Sequence, residues 1–273
     1  MLENLTKIFN SCYPQFRMSP DRFKSLILGE NTQLFTHEEQ GDITAFAITE
    51  NSALRLICVS PDHQRQGIGT HLLKQSETHL KTKGFTTIYT GGVTSNFLIG
   101  ADQQSADFFV KQGFSTVGKC DEMLLKLSDF TFNESDFRGH QTAEYGWYKG
   151  EITALHKAVA EVDESWVQYF TEGAKVYAAT VKGEIASFCL VSTDVSNYLT
   201  DAYGRVGMPG CVGTVPKHRN KGIAIEMIAR VTQYLKESGM DISFIYFTGV
   251  ADWYKKLDYQ VFLTEIFMQK QLT

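Results

Sequence analysis

Hydrophobic residues follow two different periods along this chain. Residues 53–59 and 210–215 are short, mainly apolar runs of the kind that forms buried strands. Each run is followed by apolar residues at helical spacing: Ile68, Leu72, Leu73 and Leu80 after the first run, and Ile223, Met227, Ile228, Val231 and Leu235 after the second. Strand character then resumes at residues 86–89 and 242–246. The pattern therefore predicts a strand, a helix and a strand, twice.

Tight turns mark a hairpin before each of these segments. Gln40-Gly41-Asp42 separates two strand-like runs, and Lys182-Gly183 separates another two. Helices are predicted ahead of the hairpins, at residues 20–28 and 151–162. The chain thus contains the same predicted succession of elements in its first and second halves.

The two halves also share residues in register. Segment 59–69 recurs as segment 214–224, a shift of 155 positions, and the alignment continues without a gap through the following helix. The identical pairs are Pro61/Pro216, His63/His218, Gly67/Gly222, Ile68/Ile223, Leu80/Leu235, Lys81/Lys236 and Gly84/Gly239. We interpret the chain as an internal duplication, with a first and a second copy of one domain.

Length and composition fit this interpretation. The 273 residues are enough for two domains, which we predict at 1–130 and 146–273 with a linker at 131–145. A net charge of −5 argues against a nucleic-acid partner. We find neither a signal peptide nor a bilayer-spanning apolar run, so we expect a cytoplasmic protein with no membrane partner.

Cysteine and histidine spacing indicates no metal site. The five cysteines are scattered, and no pair has ligand or disulfide spacing. We interpret them as small buried hydrophobic residues in a reducing compartment.

A glycine-containing loop between strand and helix carries the chemistry. In the first copy it contains Gly67 and Gly69, which allow a ligand to approach the backbone, and the following helix N-terminus favours an anion. This arrangement suits a pyrophosphate. A P-loop would need a Gly-Lys-Ser/Thr ending, and a dinucleotide fingerprint would need a third glycine and a later acidic residue. Neither requirement is met in either copy.

The loops resemble the acetyl-CoA signature of the GNAT superfamily of N-acetyltransferases. The first reads Val59-Ser60-Pro61 with Gln64-x-x-Gly67-x-Gly69, and the second reads Val215-Pro216 with Arg219-x-x-Gly222-x-Ala224. Residues 106–114 and 251–259 resemble a second motif of the family, a helix that ends in the pattern aromatic-x-x-x-Gly-aromatic. The resemblance covers nearly the whole chain, twice.

This resemblance implies an α/β fold with two tandem GNAT-like domains, each a mixed, splayed β-sheet flanked by helices. It implies acetyl-CoA as co-substrate, with backbone N–H groups near Val59 or Thr214 polarising the thioester carbonyl. The residues it implies for acetyl-CoA binding are Val59, Gln64, Arg65, Gln66, Gly67, Ile68, Gly69, Thr70, Thr214, Arg219, Asn220, Lys221, Gly222, Ile223 and Ala224.

The resemblance also implies a proton donor for the leaving thiolate of CoA, usually a tyrosine in this family. That position falls on Phe109 in the first copy and on Tyr254 in the second, so Tyr254 is the predicted catalytic residue. The first copy carries ten extra residues within 90–102, where Ser95 is another candidate donor. The glycine loop of the first copy is closer to the acetyl-CoA signature, whereas only the second copy has the tyrosine that could donate a proton. Which copy is catalytic is therefore left open.

The predicted function is transfer of an acetyl group from acetyl-CoA directly to an amine of a small molecule or peptide. Neither strand before a loop carries an acid, so the candidates for a general base are Asp121, Glu122 and Glu265, or a water relay. Two alternatives stay open: a related acyl- or aminoacyltransferase, and a non-catalytic acyl-CoA sensor or scaffold. The acceptor and the oligomeric state are also left open.

Overall fold

The structure, a computed structural model, describes residues 1–90, 101–137, 143–193 and 198–272. Its helices are α1 (Leu2–Cys12), α2 (Pro20–Ile27), α3 (Ile68–Thr82), α4 (Gln103–Lys111), α5 (Ile152–Ala160), α6 (Thr200–Tyr203), α7 (Ile223–Glu237) and α8 (Ala251–Tyr254). Its strands are β1 (Thr32–Glu39), β2 (Asp42–Glu50), β3 (Ala53–Val59), β4 (Thr87–Thr90), β5 (Ser115–Lys126), β6 (Glu144–Trp147), β7 (Val176–Val181), β8 (Glu184–Ser192), β9 (Val206–Thr214), β10 (Ile242–Thr248) and β11 (Gln260–Gln271). Within these described ranges, no helix combines the length and apolar character needed to cross a bilayer.

Two compact units make up the chain, and neither is one continuous segment. Unit 1 contains Met1–Asp121, Tyr198–Ala202 and Leu263–Thr273, whereas unit 2 contains Glu122–Asn197 and Tyr203–Phe262. The predicted boundaries follow the duplication and assign the end of the chain to the second domain. The units differ from that division because the last residues of β11 pair with β4 of unit 1.

Unit 1 has the strand order β1-β2-β3-β4-β11. The antiparallel β1–β2 hairpin turns at Gln40 and Gly41, with φ of 54° and 89°. Positive φ at both central residues is the type I′ turn, whose twist matches the flanking strands. The predicted hairpin is confirmed.

Strands β3 and β4 are parallel, as predicted for a strand–helix–strand crossover. Ala53 pairs with Tyr89, and the Tyr89 N–H donates to the Ser52 carbonyl at 3.0 Å. Helix α3 connects the two strands and buries Leu72 and Leu80 in the core of unit 1. The described pairing of β3 with β4 is confined to the start of β3, and β4 ends at Thr90, the last described residue before position 101.

The end of the chain completes the sheet of unit 1. Residues 268–271 of β11 pair antiparallel with β4, and Met268 is fully buried in the core. Ile266 pairs with Ala101 just before α4, and the Lys270 ammonium forms an ion pair with Glu77 of α3 at 2.7 Å. The C-terminal strand β11 therefore contacts β4, α3 and the segment that leads into α4.

Unit 2 repeats these features, with the strand order β5-β10-β9-β8-β7-β6. Its β7–β8 hairpin turns at Lys182 and Gly183, with φ of 53° and 80°. Strands β9 and β10 are parallel, with Val206 opposite Ile242. The core beneath α7 includes Met227, Ile228, Val231 and Leu235. The second predicted hairpin and parallel crossover are confirmed.

Several elements differ from the sequence prediction, the short helix α6 (Thr200–Tyr203) among them. Helix α1 was not predicted, although Leu5, Ile8 and Phe9 stand at helical spacing and are buried. Strand β9 begins at Val206 rather than at residue 210, and β6 lies at the end of the predicted linker. Most of the inserted segment of the first copy, including Ser95, lies outside the described residues.

Candidate active site

The first glycine loop connects β3 to α3 through two residues in the left-handed region. Arg65 has φ of 63° and Gly67 has φ of 85°, and Gly67 is the N-cap of α3. Apart from its two chain neighbours, no described residue places an atom within 4 Å of the position that a Gly67 Cβ would occupy, so glycine is needed there for its φ rather than for space. The open N-terminus of α3 is a ready site for an anion.

The second loop has the same backbone. Asn220 and Gly222 have φ of 59° and 75°, and Gly222 is the N-cap of α7. In the first copy the Gln64 side chain donates to the Val59 carbonyl at 3.0 Å, and in the second the Arg219 side chain donates to the Thr214 carbonyl at 3.0 Å. These two side chains hold the loops against the strand ends. Contacts with a ligand would therefore come from the backbone of the loops.

The orientation of the last β3 peptide follows from one hydrogen bond. The Ser60 N–H donates to the Thr44 carbonyl of β2 at 2.9 Å. Because successive peptide groups of a strand face opposite edges, the Val59 N–H and carbonyl face away from β2. In the second copy the Val215 N–H donates to the Ala186 carbonyl at 3.0 Å, which turns Thr214 in the same way.

A cleft of about 600 Å³ lies on this side of β3, in unit 1. It follows β3 from Leu54 to Val59 and reaches the glycine loop. Its lining includes Cys12, Tyr13, Leu54, Arg55, Leu56, Ile57, Val59, His63, Gln64, Arg65, Gly67, Gly69, Thr70, Thr90, Ala101, Asp102, Gln104, Ser105, Asp107, Phe108, Phe109 and Lys111. The parallel crossover thus opens into a pocket of a size suited to a small-molecule ligand.

An aromatic trio beside the cleft is repeated in unit 2. The ring centroids of Phe108 and Phe109 are 5.1 Å apart, and those of Phe109 and Phe114 are 5.2 Å apart. Their counterparts, Trp253, Tyr254 and Tyr259, have separations of 4.8 and 5.9 Å. Edge-on packing of this kind fixes the rings in both copies. The second copy differs by two hydroxyls, on Tyr254 and Tyr259, and by the larger indole of Trp253.

Family models match both copies. Residues 10–123 match one described as an acetyltransferase (GNAT) domain, and residues 140–262 match a second with the same description. Each match contains one glycine loop, and together they span most of the chain. The chain belongs to the GNAT acetyltransferase family.

Solved structures share the GNAT fold over the full length of the chain. A region of a fungal multi-domain GH3 β-N-acetylglucosaminidase, described as a GCN5-related glucosamine N-acetyltransferase, has a TM-score of 0.78 at 19% identity, covering 98% of this chain and 37% of that one. This chain therefore spans well under half of that protein. A GCN5-related N-acetyltransferase from Sphaerobacter thermophilus has a TM-score of 0.70 at 18% identity, with 98% and 92% covered.

A tandem GNAT protein from the clavulanic acid biosynthesis pathway has a TM-score of 0.65 at 12% identity, with 100% and 95% covered. At these identities the similarity establishes the tandem α/β architecture alone. A search of curated proteins finds no significant match. The predicted family and fold class are confirmed, whereas the predicted site residues stay predictions.

Six of the eight acetyl-CoA residues predicted in the first GNAT copy line the cleft: Val59, Gln64, Arg65, Gly67, Gly69 and Thr70. The other two point elsewhere. The Gln66 side chain donates to the Asp62 carbonyl at 3.3 Å, and Ile68 is buried in the core. The backbone of both remains part of the loop.

The predicted residues of the second GNAT copy surround the start of α7. The Lys221 ammonium donates to the Lys217 carbonyl at 2.8 Å, and Ile223 is buried in the core. Asn220 and Gly222 supply the positive φ values, and Ala224 takes the position of Gly69. The loop before α7 therefore has the same backbone arrangement as the loop before α3, and a ligand would contact its backbone in the same way.

Tyr254, the predicted proton donor, is buried in the core of unit 2 with 5% of its surface exposed. Burial raises the pKa of its hydroxyl, and the neighbouring Tyr259 and Cys189 raise it further. The hydroxyl is therefore protonated at neutral pH, as a proton donor requires. Its assignment as the catalytic residue stays a prediction.

Several polar residues of the cleft escaped the sequence interpretation, among them Cys12, Tyr13, Asp102 and Ser105. Asp102 is the N-cap of α4, where its carboxylate accepts from the Ser105 N–H at 2.7 Å and hydroxyl at 2.6 Å. The Cys12 thiol donates to the Val59 carbonyl at 3.3 Å. The Asp102-x-x-Ser105 spacing is a capping signal visible in the sequence. The contact between Cys12 and Val59 is not visible there.

The general-base candidates do not line this cleft. Asp121 accepts from the Thr264 hydroxyl at 2.6 Å, while Glu122 and Glu265 are buried. Among the residues that the structure describes, no cluster of three metal-ligating side chains is found.

Proposed function

We propose that this GNAT protein is an acetyl-CoA-dependent N-acetyltransferase that moves the acetyl group directly to an amine, and that unit 1 binds the acetyl-CoA. The observation that carries the proposal is the cleft of about 600 Å³ that is lined both by the glycine loop and by residues of β3. It brings an anion site and a row of backbone groups into one pocket.

The chemistry of the loop fits the pyrophosphate of CoA. Backbone N–H groups at the start of α3 are left without helical partners, and the helix dipole favours negative charge at that end. The open space beside Gly67 leaves room for phosphate oxygens, and Arg65 adds a positive charge to the lining. The pantetheine arm would then run along β3 towards Ile57 and Leu56.

The Val59 N–H is the proposed donor to the thioester carbonyl. It faces the cleft, and a fixed backbone donor stabilises the oxyanion that forms as the amine nitrogen attacks the carbonyl carbon. The carbon–sulfur bond then breaks, CoA leaves as a thiolate and takes up a proton, and the amine nitrogen loses one. The products are the acetylated amine and CoA.

Two carboxylates in the lining of the cleft could attract an amine acceptor. Asp102 and Asp107 line it, and a carboxylate attracts an alkylammonium ion. The GH3-linked structural neighbour is described as acting on glucosamine, which makes an amino sugar a reasonable first acceptor to assay.

The proposal is tested by incubating the chain with acetyl-CoA and one amine from each of four classes: glucosamine, a polyamine, an amino acid and a peptide with a free N-terminus. We expect at least one amine to release CoA and to gain one acetyl group by mass spectrometry, with equal amounts of both products. Acetyl-CoA binding without transfer to any amine would favour the sensor hypothesis instead.

Tyr254→Phe separates the two GNAT copies. The substitution keeps the ring packing and removes the hydroxyl, so a change in turnover would report only the proton. If unit 2 transfers the acetyl group, turnover should fall by about 10²–10⁴-fold with acetyl-CoA affinity unchanged. Because we assign the transfer to unit 1, we expect the variant to retain turnover within about twofold, measured as CoA release. Phe109→Tyr is the matched variant in the first copy.

A further inference from the structure

Unit 1 needs a proton donor that is not the family's usual tyrosine. Phe109 occupies that position and has no exchangeable proton. A CoA thiolate leaves far more easily when a nearby group protonates it. Among the described residues, the side chains that line the cleft and carry a thiol or hydroxyl are Cys12, Tyr13, Thr90, Thr70 and Ser105.

Cys12 is fixed beside the peptide group that is proposed to hold the thioester. It ends α1, is half-buried, and its thiol donates to the Val59 carbonyl at 3.3 Å. The N–H and carbonyl of Val59 face the same edge of β3. In a thioester the sulfur is bonded to the carbonyl carbon, so a carbonyl held at Val59 brings the leaving sulfur near Cys12.

Its surroundings make Cys12 the more acidic of the candidate donors. A hydrogen bond from Cys58 lowers the pKa of the Cys12 thiol. Burial raises the pKa of Cys58 well above its ordinary value, so Cys58 keeps its proton and remains a donor. Burial also raises the pKa of Tyr13 well above its ordinary range, and aliphatic hydroxyls are weaker acids still.

We propose that Cys12 is the catalytic proton donor of unit 1, delivering its thiol proton to the departing sulfur of CoA. The proposal rests on the proposed function. As the carbon–sulfur bond breaks, the Cys12 S–H bond breaks and an S–H bond forms on CoA. The Cys12 thiolate then regains a proton from solvent, while the amine nitrogen releases one. The Cys12 thiolate and the CoA thiolate have similar proton affinities, which favours efficient acid catalysis.

The pH dependence of turnover tests this assignment. A donor must be protonated, so kcat should fall as pH rises through the pKa of Cys12. Cys12→Ala should lower kcat by about 10²-fold or more and abolish this falling limb, with the KM for acetyl-CoA little changed. Cys58→Ala should shift the limb to higher pH, since it removes the hydrogen bond that favours the Cys12 thiolate. Tyr13→Phe should leave the limb in place.

Alkylation gives a second readout that does not need an acceptor. Iodoacetamide should modify Cys12 ahead of the other cysteines, and acetyl-CoA should protect it, as followed by peptide mass spectrometry. Acetyl-CoA binding without protection, or a folded Cys12→Ala variant that keeps both its turnover and its falling limb, would overturn the proposal and leave the transferase function intact. A wild-type chain that transfers acetyl to no amine would overturn both together.

Discussion

Deleting residues 263–273 should unfold unit 1 and abolish acetyl-CoA binding, although the deletion lies 190 or more positions beyond the glycine loop. These residues supply the strand that pairs with β4, and Met268 within them is fully buried. The deletion also removes the partner of Ala101, which leads into the cleft residues Asp102 and Ser105. A domain is stable by only about 5–15 kcal/mol, so losing a core strand consumes most of that margin.

Circular dichroism with urea and calorimetry with acetyl-CoA measure the two effects. A graded pair of point variants controls for nonspecific damage. Met268→Ala should cost about 2–5 kcal/mol because it leaves a core cavity, whereas Met268→Leu should cost less than about 1.5 kcal/mol. A truncated chain that unfolds like the full chain and binds acetyl-CoA with unchanged affinity would contradict the assignment of this strand to unit 1.

Arg55→Ala should be the most destabilising single substitution of a charged residue in unit 1. The Arg55 guanidinium is 4% exposed and donates to the Ile27 carbonyl at 2.8 Å and the Leu26 carbonyl at 2.5 Å, at the end of α2. It also lies 3.5 Å from the Glu50 carboxylate. Removing it takes one buried cationic partner from the Glu50 carboxylate and from two helix-terminal carbonyls, which should cost about 3–5 kcal/mol.

Urea denaturation measures this loss, and Arg22→Ala is the control. Arg22 pairs with Asp201 at 2.9 Å, but both side chains are partly exposed, so the loss should be on the order of 1 kcal/mol. Equal losses for the two variants would mean that Arg55 acts as an ordinary surface cation rather than as a buried cap of α2.

The parts of the fold that depend on local pattern were predictable. The spacing of Leu72 and Leu80 indicated α3, the Gln40-Gly41 turn indicated a hairpin, and the shift of 155 residues located the second glycine loop. The helix and hairpin signals each lie within about 20 consecutive residues, and the repeat is found by comparing two such short segments. Local propensity and periodicity are sufficient for elements of this kind.

The parts that depend on distant contacts were not predictable. Nothing in the segment around Met268 indicates that it pairs with β4 rather than with strands of its own copy. Arg55 stands in an apolar strand, and only the position of α2 explains its burial. Cys12 enters the cleft because α1 ends beside Val59, a contact over 47 positions. Such contacts arise from topology, which a single sequence does not encode locally.

Titration of acetyl-CoA into Gly67→Glu and Gly222→Glu by calorimetry tests the central claim most directly. Each variant places a carboxylate at the N-terminus of a loop helix, where it would repel phosphates, and each strains a left-handed residue to a similar degree. Circular dichroism establishes that both remain folded. We predict that Gly67→Glu loses affinity at the cleft by about 100-fold or more, while Gly222→Glu retains that binding event. Unchanged affinity in a folded Gly67→Glu variant, or loss of that event in Gly222→Glu alone, would contradict binding of acetyl-CoA in unit 1.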